Sequence, residues 1–203
     1  MSSTIDSSRS PQLALVPTRF KCTRCGNCCR GPGHARLFPN DLARLAQHFS
    51  VALDDFVRAR CVLLVETHRF PDDVLTFSTL GLQRDDDACV FLTASGCSVH
   101  AAKPLVCSLA PFSRTHWFHS DSRQRFLQLS KGFGHGPLWS EEDLAKSMRR
   151  ETEQWDRYLG LLRSNPTLSW WTLYGLQAQP NLITVEWTAK YDRPWSEVSA
   201  SAT

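Results

Sequence analysis

Four cysteines fall within the eleven residues from Lys21 to Gly31, KCTRCGNCCRG: Cys22, Cys25 and Cys28 two residues apart, with Cys29 directly after. Three chemistries gather thiols this densely: disulfide staples, a metal site, or a redox-active thiol pair. Neighbours such as Cys28 and Cys29 cannot bridge each other without heavy strain. A Cys-x-x-Cys-Gly turn, by contrast, can point two sulfurs at one metal, with Gly26 permitting the tight backbone turn after the second ligand. A lone Cys-x-x-Cys is shared with redox motifs, but here Cys89, Cys97 and Cys107 follow downstream. The expected ligands are therefore Cys22, Cys25, Cys28, Cys29, Cys89, Cys97 and Cys107. Cys61 stands at the end of an amphipathic pattern and reads as a packed thiol.

Charge supports a single thiolate site built from both stretches. Residues 19–40 hold Arg19, Lys21, Arg24, Arg30 and Arg36 and no acid; residues 88–120 hold Lys103, Arg114 and three histidines, again without an acid. Metal-bound cysteines are thiolates, and neighbouring cations lower their pKa. His34, His100, His116, His119 and His135 read by default as solvated surface residues; His100, three residues past Cys97, is the one best placed to join the cysteines. Thiolates suit both zinc and iron–sulfur chemistry. Three cysteines at this spacing begin the run that grips a cubane cluster, whereas paired knuckles with distant partners favour closed tetrahedral zinc. The expected cofactor is zinc or iron, a 4Fe-4S cluster included, and the metal ion is the expected partner.

The joint pattern resembles the CxxCxxCC (YkgJ-like) family, whose members are described as zinc- or iron-chelating proteins. Its elements here are Phe20 to Cys29, then Cys89-Val90-Phe91-Leu92, Cys97, Lys103-Pro104, Cys107 and Pro111, and the resemblance covers residues 19–137. This chain departs from it in carrying Ser98-Val99-His100 where Ile-Tyr is usual, Lys103 where Arg precedes the proline, and Ser108 after the last cysteine. The motif also occurs in proteins resembling flagellin lysine N-methylase, which implies an iron–sulfur-dependent protein-modifying enzyme as the alternative function.

These residues must be held by a fold that 203 residues can build around one sizeable core. Residues 1–18, rich in Ser, Thr and Pro, read as a disordered tail. From Pro39, Leu42, Leu45, Ala46 and Phe49 share a helical face, with Asn40 as the expected N-cap. A second short helix is expected over Leu53 to Cys61, and strands over 62–66 and 74–78. Residues 89–112 read as a strand, a Ser-Gly turn and a helical turn opening at Lys103-Pro104; Thr115–Ser120 and Arg125–Leu129 suggest a hairpin, and 133–137 a loop. Ser140 opens a capping-box-like Ser-Glu-Glu-Asp and a long helix to about Ser164. Trp170, Trp171, Tyr174 and Trp187 are large residues that must pack somewhere, the Trp170-Trp171 pair in the core. The fold class is α+β: a small, irregular, metal-stapled domain over 19–137 with short hairpins and helices, then a helical extension over 138–203 packing on the same core.

Composition trims the other classes. No apolar run is long enough to span a bilayer, the apolar patch Leu13–Val16 is too short for a signal core, and the expected location is cytoplasmic, where thiols stay reduced. A net charge of +3 does not argue for nucleic acid, and no recognition helix with finger spacing supports a zinc-dependent adaptor. With no nucleotide loop, Ser-His-Asp order or His-Glu-x-x-His motif, a metal-binding module is preferred to an enzyme. Structural zinc contributes on the order of 10 kcal/mol, comparable with the stability of a whole domain. Chelation should therefore lower the melting temperature sharply; metal-free protein with an unchanged melting curve would rule out metal-dependent folding.

Overall fold

The structure is a computed structural model describing residues 17–30, 33–69, 71–112 and 130–190. The hairpin expected over 115–129 lies outside the described residues, as do His116 and His119. The architecture is α+β, with a long helix in the C-terminal part.

Its largest sheet is built on an antiparallel hairpin of β3 (Cys61–Arg69) and β4 (Val74–Leu82), in register from Cys61↔Leu82 to Arg69↔Val74. Both strands run longer than their apolar segments suggested, because cross-strand pairs such as Thr67–Thr76, with hydroxyls 3.0 Å apart, carry the ladder outward. The two-residue β2 (Arg36–Leu37) flanks β4. On the other side β10 (Thr184–Lys190) lies parallel to β3, giving the order β10-β3-β4-β2. Residues 184–190, TVEWTAK, alternate polar and apolar side chains, a strand signal that the sequence reading passed over.

Helix α2 (Pro39–Phe49) buries Leu42, Leu45 and Ala46 as its spacing predicts, while Phe49 stays 40% exposed and stacks on Phe56 and Phe91. Its cap is not Asn40. Pro39 is the first helical residue, where its missing N–H loses nothing, and the Asp41 carboxylate accepts from Phe38 N at 3.1 Å. α3 (Leu53–Arg60) buries Phe56 and Val57, and Cys61 begins β3 instead of closing the helix. α5 (Glu141–Ser164) starts as expected: Ser140 Oγ accepts from Asp143 N at 3.1 Å, and Asp143 Oδ2 accepts from Ser140 N at 2.9 Å.

Two apolar clusters result. The larger joins α2, α3 and the sheet to Trp155, Tyr158 and Leu159 of α5 and to Tyr174 beyond α6 (Trp170–Leu173), with Trp170 and Trp171 packed at its margin. The Tyr174 hydroxyl donates to Leu37 O at 2.6 Å and accepts from Leu80 N at 3.2 Å, tying the end of that segment to the sheet. The smaller cluster packs Phe20 and Phe112 on Leu144 and Met148 of α5. It lies under a second sheet, where β1 (Thr18–Phe20) pairs antiparallel with β9 (Phe133–Trp139). Two expectations are corrected here. Thr18 belongs to a strand and not to a tail, and 133–137 is a strand and not a loop. Most of β9 is exposed, so it lacks the apolar alternation that reveals a half-buried strand.

Glu66, with Asp41 and Glu151 one of three buried carboxylates among the described residues, is enclosed in the largest sheet. Glu66 takes a two-pronged contact from Arg36 (Nε–Oε1 2.7 Å, Nη2–Oε2 2.8 Å), the Thr79 hydroxyl at 3.1 Å and His68 Nε2 at 3.3 Å. Arg36 is itself covered by Trp155 and Trp187, whose ring centroids lie 5.8 and 5.2 Å from its guanidinium carbon. Trp187 is 43% exposed and packs here as this lid. Burial alone would raise the Glu66 pKa, but the His68 and Arg36 hydrogen bonds and the Arg36 charge outweigh it and hold it down to about 2. A carboxyl depressed in the folded state stabilises fully above its unfolded pKa, near 4.5, and loses that contribution as pH falls toward 2. The shift corresponds to about 3 kcal/mol. Acid unfolding of the wild type should therefore steepen between these limits, and Glu66→Gln should lose stability at pH 7 while flattening that limb. Equal pH dependence in both proteins would exclude this role.

Candidate metal centre

The cysteines sit on short, tightly constrained segments. α1 (Asn27–Arg30) is one helical turn carrying Cys28 and Cys29, with the N–H groups of Cys29 and Arg30 both bonded to Gly26 O at 2.9 and 3.2 Å. Gly26 has φ +77°, and a Cβ there would meet Leu92 Cδ1 at 2.8 Å, so the expected need for glycine is both conformational and steric. Cys89 ends the small hairpin of β5 (Arg84–Asp85) and β6 (Ala88–Cys89). Cys97 ends the next, β7 (Leu92–Thr93) with β8 (Gly96–Cys97). Gly96, at φ +103°, passes so close to the first cysteine loop that a Cβ would stand 3.0 Å from Arg24 O. A short 3-10 turn, His100–Ala102, leads to α4 (Leu105–Leu109), which carries Cys107 and has Pro104 at its N-cap, one place earlier than the sequence suggested.

α2 holds this last segment in place. Buried Asp41 accepts from Leu105 N at 2.9 Å and pairs with Arg44 at 2.6 Å. Arg44 in turn donates to Lys103 O at 2.9 Å and Ala102 O at 3.4 Å. Sequence reading missed this pair. An Asp-x-x-Arg spacing on a helix signals only an i,i+3 ion pair, and its use as a clamp on residues 102–105 depends on a contact some 60 positions away in the chain.

The result is a cavity of about 60 Å³ lined by Cys22, Cys25, Cys28, Cys29, Cys89, Cys97 and Cys107, with no carboxylate among its lining residues. All seven expected ligands are thus brought together. Cys61 does not line it; this thiol is 1% exposed in the main core, and burial pushes its pKa up to about 12. His34 is elsewhere, with Nδ1 2.8 Å from Leu82 O, and His135 is exposed on β9. His100 does join the cavity wall, its Nε2 3.7 Å from Cys22 Sγ. All eight cysteines are free thiols.

Spacing and charge divide the cysteines. Cys28 and Cys29 Sγ are 3.9 Å apart, close to the edge of about 3.8 Å in a tetrahedron of sulfurs bonded at about 2.3 Å. Hydrogen bonding between Cys29 and the sulfurs of Cys28 and Cys97 raises the Cys29 pKa and lowers theirs; Lys103 lowers both further, and Arg24 lowers Cys97. Burial, reinforced by the Cys28, Cys89 and Cys97 charges, pushes the Cys107 thiol up, and burial likewise raises Cys89. Cys25 stands apart from this coupling. Burial would raise it, but hydrogen bonds from Asn27 win and lower it. Burial and the charges of Lys103 and Arg24 lower the His100 pKa, which keeps the imidazole neutral.

Among the described residues, no three His, Cys, Asp or Glu side chains already stand at ion-holding spacing. The close pairs are Cys28 with Cys29 and Cys22 with His100. The donor set nevertheless fits a soft or borderline metal: sulfur ligands, one nearby imidazole, a cationic rim, and no hard oxygen anion of the kind magnesium or calcium requires.

The chain belongs to the CxxCxxCC family, described as a putative zinc- or iron-chelating domain, whose model matches residues 21–128, just over half of the chain. No curated protein and no solved structure matches it. Among the described residues, no helix is long and apolar enough to cross a membrane.

The thiol pattern orders reactivity, since the thiolate is the nucleophile. In metal-free protein at pH 7, iodoacetamide should modify Cys28 and Cys97 well before Cys61 and Cys107, as read by peptide mass spectrometry, and metal loading should protect the first pair. Labelling of Cys61 or Cys107 first would contradict the arrangement.

Proposed function

We propose that the protein is a metal-binding module in which Cys22, Cys25, Cys28, Cys29, Cys89, Cys97 and Cys107 hold zinc, and that the metal cross-links the first cysteine loop to the hairpins and helix of residues 84–109. The observation carrying this reading is the gathering of seven thiols around one narrow cavity without a carboxylate. Zinc is favoured over a cubane cluster by the Cys28–Cys29 separation of 3.9 Å, which suits two sulfurs on one tetrahedral ion. Cysteines on a cubane bind different irons at its corners and stand farther apart. The cavity volume of about 60 Å³ favours a small ion in the same way.

An iron–sulfur-dependent protein-modifying enzyme is the second reading, and the Cys22-x-x-Cys25-x-x-Cys28 spacing favours it. It needs a substrate site beside the cluster. The larger groove, about 370 Å³ between Leu75 and Phe77 of β4 and Leu159 and Leu162 of α5, shares no lining residue with the cysteine cavity. Binding is therefore preferred to catalysis.

Protein purified anaerobically should be colourless and contain zinc, because a filled d shell gives no visible absorption. Cys97→Ser should lower the bound metal. A brown preparation with iron and acid-labile sulfide would replace this reading by the iron–sulfur one.

A further inference from the structure

We infer that His100 is a metal ligand through Nε2, sharing an ion with Cys22, so that the centre is a mixed sulfur–nitrogen site and not an all-thiolate one. The inference rests on the chelating reading above and adds a ligand to it.

Three observations carry it. First, Nε2 of His100 lies 3.7 Å from Cys22 Sγ. Two ligands bonded to one tetrahedral zinc at about 2.3 Å (sulfur) and 2.0–2.1 Å (nitrogen) stand about 3.6 Å apart, so the pair needs almost no movement to close on an ion. Second, the imidazole lies in the wall of the same cavity as the seven cysteines, whereas the described His34 and His135 do not.

Third, the ring is held by its backbone. The 3-10 turn His100–Ala102 is anchored on both sides by buried Val99 and Ala102, and Ala102 N donates to Val99 O at 2.9 Å. Arg44 grips the carbonyls of Ala102 and Lys103 just beyond it. A surface histidine has no need of such fixing; a ligand benefits from it, because its geometry is set before the metal arrives. Donor count agrees. Seven cysteines and one histidine are eight donors, the number that two four-coordinate ions require. An imidazole in place of a further thiolate also removes one negative charge from a cavity already crowded with sulfur.

The test is metal K-edge X-ray absorption on the full chain, stripped of metal and reloaded anaerobically with Zn²⁺ alone. The wild type should show sulfur at about 2.3 Å together with a shorter nitrogen shell and the outer-shell scattering of an imidazole ring. His100→Gln should lose the imidazole scattering and bind its zinc less tightly, His100→Cys should restore the affinity with sulfur only, and His34→Gln should leave the spectrum unchanged. A wild-type protein that binds zinc through sulfur alone overturns the inference while leaving chelation intact; His100 would then only hydrogen-bond the Cys22 thiol. Imidazole scattering that persists in His100→Gln overturns it too. A wild-type protein that takes up no zinc sinks both readings. The wild-type spectrum decides even if a variant fails to fold.

Discussion

Seven sulfurs around one small cavity cannot all carry a negative charge unless a cation shares the space with them. The protein relieves part of this repulsion by itself: the hydrogen bonds of Cys29 with Cys28 and Cys97 raise its own pKa and lower theirs, and Lys103 lowers both further, with Arg24 acting on Cys97. Burial raises the pKa of Cys107 and Cys89. A divalent ion removes the remaining conflict by converting repelling neighbours into co-ligands and releasing protons. The cationic residues Arg24 and Lys103 in the cavity wall and the absence of carboxylates there suit that one requirement.

The requirement reaches into the fold because the ligands come from segments with little regular structure. α1 is a single turn, the two small hairpins have two-residue strands, and α4 is five residues long. Such pieces bury little apolar surface of their own. What fixes them is close backbone approach at Gly26 and Gly96 and the Asp41–Arg44 clamp from α2. The sheet with α2, α3 and α5 thus provides the core against which these short cysteine-bearing segments are held.

Within that core, the Arg36–Glu66 pair plays a different part. A buried ion pair is a poor source of net stability, since desolvation offsets the attraction, yet removing one partner leaves an uncompensated charge. Arg36 comes from β2 and Glu66 from β3, two strands separated by β4. Their two-pronged contact, capped by Trp155 and Trp187, admits one register and so links the sheet to both α5 and β10.

The cysteines that line the cavity were legible in the residues alone, because thiol chemistry is carried by residue type and local spacing: the two x-x intervals of Cys22 to Cys28, the setting apart of Cys61, and the absence of acids nearby. α2, α3 and the capped start of α5 were legible for a related reason, since a 3.6-residue apolar period and a Ser-Asp capping pair are local signals. Only the tertiary structure decided the rest. β9 lacks apolar alternation, the alternation of β10 does not say which strand it joins, and both take their places because β1 and β3 offer edges to pair with. The Asp41 clamp and the meeting of His100 with Cys22 span 64 and 78 residues of chain. Contacts between distant segments depend on where the core brings their backbones, and no local spacing records that.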